Sequence, residues 1–149
     1  MKTVSGGVCA AKGFKANGIH CGIRKNKTKK DVALIYSETM ANAAAVYTKN
    51  LVKAAPLTVT KAHLANGKAQ AVICNSGNAN ACNANGIEVA EKTSALVAEK
   101  LGINASDVVV ASTGVIGQPL DVTPIENGLD ALIAGLGDHS TDAAEGIMT

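Results

Sequence analysis

Ala69-Gln70-Ala71-Val72-Ile73-Cys74 runs straight into Asn75-Ser76-Gly77-Asn78-Ala79-Asn80-Ala81-Cys82-Asn83-Ala84-Asn85-Gly86, and that into a polar-apolar stretch from Ile87 to Leu101. The opening is a short apolar run of the kind that forms a buried strand. The closing part places Ile87, Ala90, Ser94, Val97 and Leu101 at steps of three and four, the stripe of an amphipathic helix, with Gly102 to end it. Five asparagines fill the loop between them. A further apolar strand follows at Asp107-Val108-Val109-Val110-Ala111. Strand, loop, helix and strand in that order decide the fold class: α/β or α+β, with strands packed beneath helices.

Towards the N-terminus, Asp31–Ser37 and Ala44–Thr48 read as further strands, the first buried on both faces. Five of the seven residues from Arg24 to Lys30 are basic, which reads as the solvated tip of a hairpin rather than a nucleic-acid patch. Pro56 opens a short helix through Leu64, ended by Asn66-Gly67. Towards the C-terminus, Thr123-Pro124-Ile125-Glu126 has the form of a capping box with proline at the first helical position. Ile125, Leu129, Leu132, Ile133 and Leu136 make the buried stripe of that helix. A last helical start, Ser140 to Met148, has no C-cap before Thr149, so residues 1–149 are expected to be part of a longer protein.

Composition narrows the function. The chain is 47% hydrophobic with two Tyr, one Phe and no Trp, so Val, Ile, Leu and Ala must build the core. Few aromatics and a net charge of +2 argue against a nucleic-acid partner and against a membrane surface. Cys9, Cys21, Cys74 and Cys82 form no CxxC pair, and no secretory leader is visible, which points to a cytoplasmic protein with reduced thiols. His20, His63 and His139 are too scattered for a zinc site, so no metal is expected. No P-loop, HExxH, GxSxG or GxGxxG occurs, and Glu88 and Glu91 fall on the polar side of a helix.

Two loops remain as candidates for chemistry. The asparagine loop is either a tightly hydrogen-bonded turn or a substrate-side loop, because strand ends that feed helices are where α/β sites gather. Ser112-Thr113-Gly114-Val115-Ile116-Gly117 offers hydroxyl donors and a glycine whose N–H a ligand can approach closely. Taken alone, it could equally be a plain strand exit.

Together with Gly13-Phe14-Lys15-Ala16, Lys53-Ala54-Ala55-Pro56 and the closing Ile147-Met148-Thr149, these loops resemble, in sequence and order, the front of the ornithine acetyltransferase (glutamate N-acetyltransferase) family. The resemblance covers essentially the whole chain. It implies a layered α/β/β/α sandwich, here its N-terminal portion, from a precursor that cleaves itself at an Ala-Thr bond. The freed threonine is then a nucleophile on a second chain, carrying acetyl from N-acetylornithine to glutamate by a ping-pong route in arginine biosynthesis. It further implies a cytoplasmic heterotetramer of α and β chains without a prosthetic group, with acetyl-CoA accepted as a co-substrate by some members. The family's oxyanion-stabilising Thr-Gly pair maps onto Thr113 and Gly114, and a substrate-contacting threonine onto Thr149. The lysine loop, the cleavage site and the nucleophile have no counterpart in residues 1–149, so these residues alone are expected to be inactive. Two other readings stay open: a self-processing aminopeptidase or amidase of similar architecture, and a non-catalytic α/β binding domain.

Overall fold

The structure, a computed structural model, describes residues 3–149. Four strands, β1 (Phe14–Ile19), β2 (Val32–Asn42), β3 (Lys68–Asn75) and β4 (Val108–Ser112), form one sheet in the order β1-β2-β3-β4. The pairings β1–β2 and β2–β3 are antiparallel, while β3 and β4 run parallel. Parallel neighbours need a crossover, and α2 (Gly86–Leu101) supplies it. The other helices are α1 (Ala55–His63), α3 (Thr123–Ala134) and α4 (Ser140–Gly146).

Alternation along the strands sorts the layers. Val32, Leu34, Ala71, Ile73, Val108 and Val110 meet Val59 of α1, Ala90 and Val97 of α2, and Ile125, Leu129 and Leu132 of α3 in one core. The opposite face carries Ala16 and Ala33, covered by Ala143 of α4. Successive residues Val32, Ala33 and Leu34 are all buried, so this end of β2 is covered on both sides, as expected. Small residues set the approach of α4: a Cβ on Gly146 would stand 2.6 Å from the Val32 carbonyl oxygen. Thr60 stitches α1 to the outer edge of β4, its hydroxyl donating to Val110 O at 2.8 Å and accepting from Val110 N at 3.2 Å. An edge strand's free backbone is thereby satisfied.

The α+β class is as the sequence implied, and so are the strands at 32–37, 68–75 and 108–112 and the three long helices. Of the four-layer sandwich, the described residues supply one sheet with helices on it. Four details differ. Ala44–Thr48 is not a strand, because β3 begins at Lys68 opposite Asn42 and nothing is left beyond it to pair with. Its Val46 is 98% exposed. The capping box does not form: the Thr123 N–H is already taken by Asp121 Oδ1 at 2.9 Å, and the helix starts from the Val122 carbonyl. Ile87 faces solvent, and Val89 and Thr93 replace it in the buried stripe of α2. Arg24 and Lys30 turn inward from the basic hairpin, whose other basic residues are solvated.

Candidate active site

The parallel pairing of β3 and β4 brings their C-terminal ends level, with Asn75 opposite Ser112. Both candidate loops therefore leave the sheet side by side, as in open α/β sheets generally. Asn75, only 3% exposed, ties the two exits together. Its Nδ2 donates to Ser112 Oγ at 2.7 Å, its Oδ1 accepts the N–H groups of Gly77 and Asn78 at 3.2 and 3.1 Å, and its carbonyl accepts the Thr113 N–H at 2.9 Å.

Beyond the strands the loops continue as a short ladder. Ala79 N–H donates to Val115 O at 2.8 Å, Val115 N–H to Gly77 O at 3.3 Å and Gly117 N–H to Ala81 O at 3.1 Å. The remaining asparagines hold this arrangement. Asn78 donates to Gln118 O at 3.0 Å and accepts from Asn80 N, while Asn80, with φ of 48°, donates to Gly86 O at 2.8 Å. Asn83 reaches Gln118 O at 2.8 Å. The asparagine loop is therefore a hydrogen-bonded frame, and its Gly77 and Asn78 also line surface recesses.

Gly114 fits against that frame through its lack of a side chain. Its φ is +125°, and a Cβ there would lie 2.6 Å from Gly77 C and 2.7 Å from Gly77 O. Two backbones meet where almost any other residue would push them apart. Thr113 N–H is engaged by Asn75, whereas the Thr113 hydroxyl and the Gly114 N–H meet no partner among the described residues. Thr113, Gly114 and Thr149 line one open recess of about 480 Å³ together with Arg24, Ser76, Gly77 and Val115.

Sequence reasoning missed Arg24 and Ser76, the first because it is one of five cations in a run. Arg24 Nε and Nη2 donate to Ser76 O at 2.9 and 2.5 Å, and Nη2 also donates to Met148 O. Ser76 Oγ donates to Gly146 O at 2.6 Å. Below them Asp31, fully buried, accepts the N–H groups of Cys21, Gly22 and Arg24 at 2.7, 3.1 and 2.9 Å. Burial alone would raise the Asp31 carboxyl, but the Arg24 and Cys21 N–H donors outweigh it and hold the group below its ordinary range. The buried sequence signal was Asp31 itself, an acid opening an apolar strand.

Neither Cys21 nor Cys74 is an activated nucleophile of the low-pKa kind. Burial and the Asp31 charge push Cys21 up to about 12, and burial pushes Cys74 up to about 11. His63 is occupied by Val108 O at 2.8 Å and His20 lies 3.1 Å from Asp31. Among the described residues no group of three or more His, Cys, Asp or Glu could hold a metal ion. Among the described residues no helix is long and apolar enough to cross a membrane.

The ArgJ family profile matches residues 15–149. The chain belongs to the ArgJ family. The arginine biosynthesis bifunctional protein ArgJ of Caldanaerobacter subterraneus subsp. tengcongensis is 46% identical over the whole chain, and that of Gloeobacter violaceus 49% identical over 98% of it. The chain spans 37% and 36% of the length of those two ArgJ proteins. Two solved structures share the fold across 98% of the chain. ArgJ from Bacillus halodurans has a TM-score of 0.89 at 42% identity, with 78% of that chain covered. Ornithine acetyltransferase from Mycobacterium tuberculosis, complexed with ornithine, has a TM-score of 0.91 at 36% identity, with 81% covered.

Proposed function

We propose that this ArgJ-family chain forms the oxyanion side of an acetyltransferase site that moves acetyl from N-acetylornithine to glutamate in arginine biosynthesis. One observation carries the reading: Thr113 and Gly114, whose hydroxyl and N–H meet no partner among the described residues, line one recess with Thr149 at the ends of parallel strands. The ornithine held by the M. tuberculosis relative supports an ornithine-type substrate.

In this reading the nucleophile is a threonine freed at an Ala-Thr bond of a precursor, on a second chain that assembles with this one as a cytoplasmic heterotetramer. Its Oγ attacks the acetyl carbonyl of N-acetylornithine, and its own α-amino group takes the proton. The carbonyl oxygen becomes an anion, towards which Thr113 Oγ–H and Gly114 N–H donate. Collapse of that intermediate breaks the bond to the ornithine nitrogen, which leaves protonated as ornithine. The glutamate amine then attacks the acetyl-threonine through a second oxyanion of the same kind, whose collapse breaks the ester bond, releases N-acetylglutamate and returns the amine's proton, by way of the threonine α-amino group, to the threonine Oγ. No metal or prosthetic group enters either half; acetyl-CoA would serve as an alternative acetyl donor. Thr149 contacts the amino-acid portion.

Thr113→Val in a full-length enzyme carrying these residues tests the reading. It keeps the β-branched shape and removes the donor, so kcat should fall on the order of 10²–10³-fold while KM moves little. Thr113→Ser should keep most of the activity. If Thr113→Val retains near-normal kcat and only lowers the thermal midpoint, Thr113 is a structural strand exit and leaves the site.

A further inference from the structure

The Arg24 side chain joins the hairpin, the asparagine loop and the segment carrying Thr149. Its backbone N–H is fixed by the buried Asp31 carboxylate at 2.9 Å, so the side chain leaves from a rigid base. Asp31 also receives the Ser76 N–H on its carbonyl at 2.9 Å, which locks the start of the asparagine loop to the same base. The Arg24 guanidinium then takes Ser76 O and Met148 O together. Ser76 Oγ adds a parallel tie to Gly146 O at 2.6 Å. Ile23, the preceding residue, packs where Gly77 has no side chain. A cation that serves two carbonyl oxygens from separate segments acts as a clamp rather than a surface charge.

We propose that Arg24 is a positioning residue for the amino-acid substrate: its guanidinium, seated on Asp31, holds the Met148 carbonyl and thereby sets Thr149 against the recess containing Thr113 and Gly114. The proposal rests on the acetyltransferase reading above. It separates two parts of the site. Thr113 and Gly114 are aligned by bonds of Asn75 and of the Gly77–Val115 ladder that Arg24 does not itself make, its tie to that loop being at Ser76 O. Thr149 is aligned through Arg24. Loss of the clamp should therefore weaken substrate placement more than stabilisation of the oxyanion.

The test is steady-state kinetics on a full-length enzyme with N-acetylornithine and glutamate, alongside thermal midpoints. Arg24→Met removes all three guanidinium bonds with similar bulk, and KM for N-acetylornithine should rise roughly 5–20-fold while kcat falls less than about 3-fold, the pattern of lost ground-state binding. Arg24→Lys keeps a cation of similar reach and should recover most of the KM. Arg24→Gln, too short to span both carbonyls, should resemble Arg24→Met, and it carries the test if Arg24→Met does not fold. Unchanged KM in a folded Arg24→Met or Arg24→Gln protein overturns the proposal. So does an equal loss in Arg24→Lys and Arg24→Met, or a loss confined to kcat. A wild-type enzyme that transfers no acetyl group overturns the acetyltransferase reading instead, and with it this proposal, so the two failures are told apart by the unmodified protein.

Discussion

At Gly114, a single hydrogen atom in place of a methyl keeps the two candidate loops together. Gly114→Ala must both adopt a φ near +125° and displace Gly77 or Asn78, whose atoms lie 2.6–2.8 Å from the new Cβ. Backbone strain and overpacking together should cost about 2–4 kcal/mol. The urea midpoint of the full-length protein should drop accordingly, whereas Thr113→Val, which touches neither backbone, should leave it nearly in place. An unshifted midpoint for Gly114→Ala would mean that the loops can separate freely. Sequence reasoning picked out Gly114 as a donor but had no view of its contact with Gly77, since the two are brought together only by the parallel register of β3 and β4. Arg24 was hidden for the opposite reason: its type was visible, but among five neighbouring cations nothing local distinguishes Arg24 and Lys30, which turn inward, from the rest.

Between elements, the join that matters is Asn75 across the ends of β3 and β4. It carries one donor bond to Ser112 and two acceptor bonds from Gly77 and Asn78, all at a nearly buried position. Asn75→Ala leaves those backbone donors unpaired and should cost about 2–3 kcal/mol. Asn75→Asp keeps the acceptor, and the Ser112 hydroxyl can rotate to donate, so it should cost clearly less. Equal denaturation midpoints for the two variants would show that the loop donors find other partners. The elements themselves were legible wherever a period could be read: β3, β4, α2 and α3 appear within a residue or two of their sequence limits. Ala44–Thr48 misled because a strand needs a partner as well as a pattern. The Thr123 box misled because Asp121, two residues upstream, reaches the same N–H first.

Across the whole molecule, the acid limit of stability should be shaped by Asp31. Its carboxyl is lowered from an ordinary 3.8 in the folded state, so its ionised form favours folding. That contribution is fully present above about pH 4 and fades as the pH falls through the lower folded value. Asp31→Asn offers one acceptor oxygen to the three N–H groups and should lose about 1–3 kcal/mol at pH 7. Its stability should also decline less steeply than the parent's below pH 4, which urea midpoints measured across pH 2–7 in the full-length protein would reveal. Parallel slopes for the two proteins would remove Asp31 as the acid-sensitive group.

The parallel pairing of β3 with β4 has a consequence in time as well as in space. Antiparallel β1 and β2 can pair across the short link between Ile19 and Val32, and α2 can coil from local contacts, but β4 joins only after the whole crossover from Asn75 to Val108 has closed. The bond from Thr113 N–H to Asn75 O and the ladder beyond it depend on that closure. The recess should thus be among the last features to assemble as the chain folds and among the first to come apart when β4 detaches. A half-folded chain would therefore hold most of its secondary structure while still lacking the alignment on which the proposed chemistry depends.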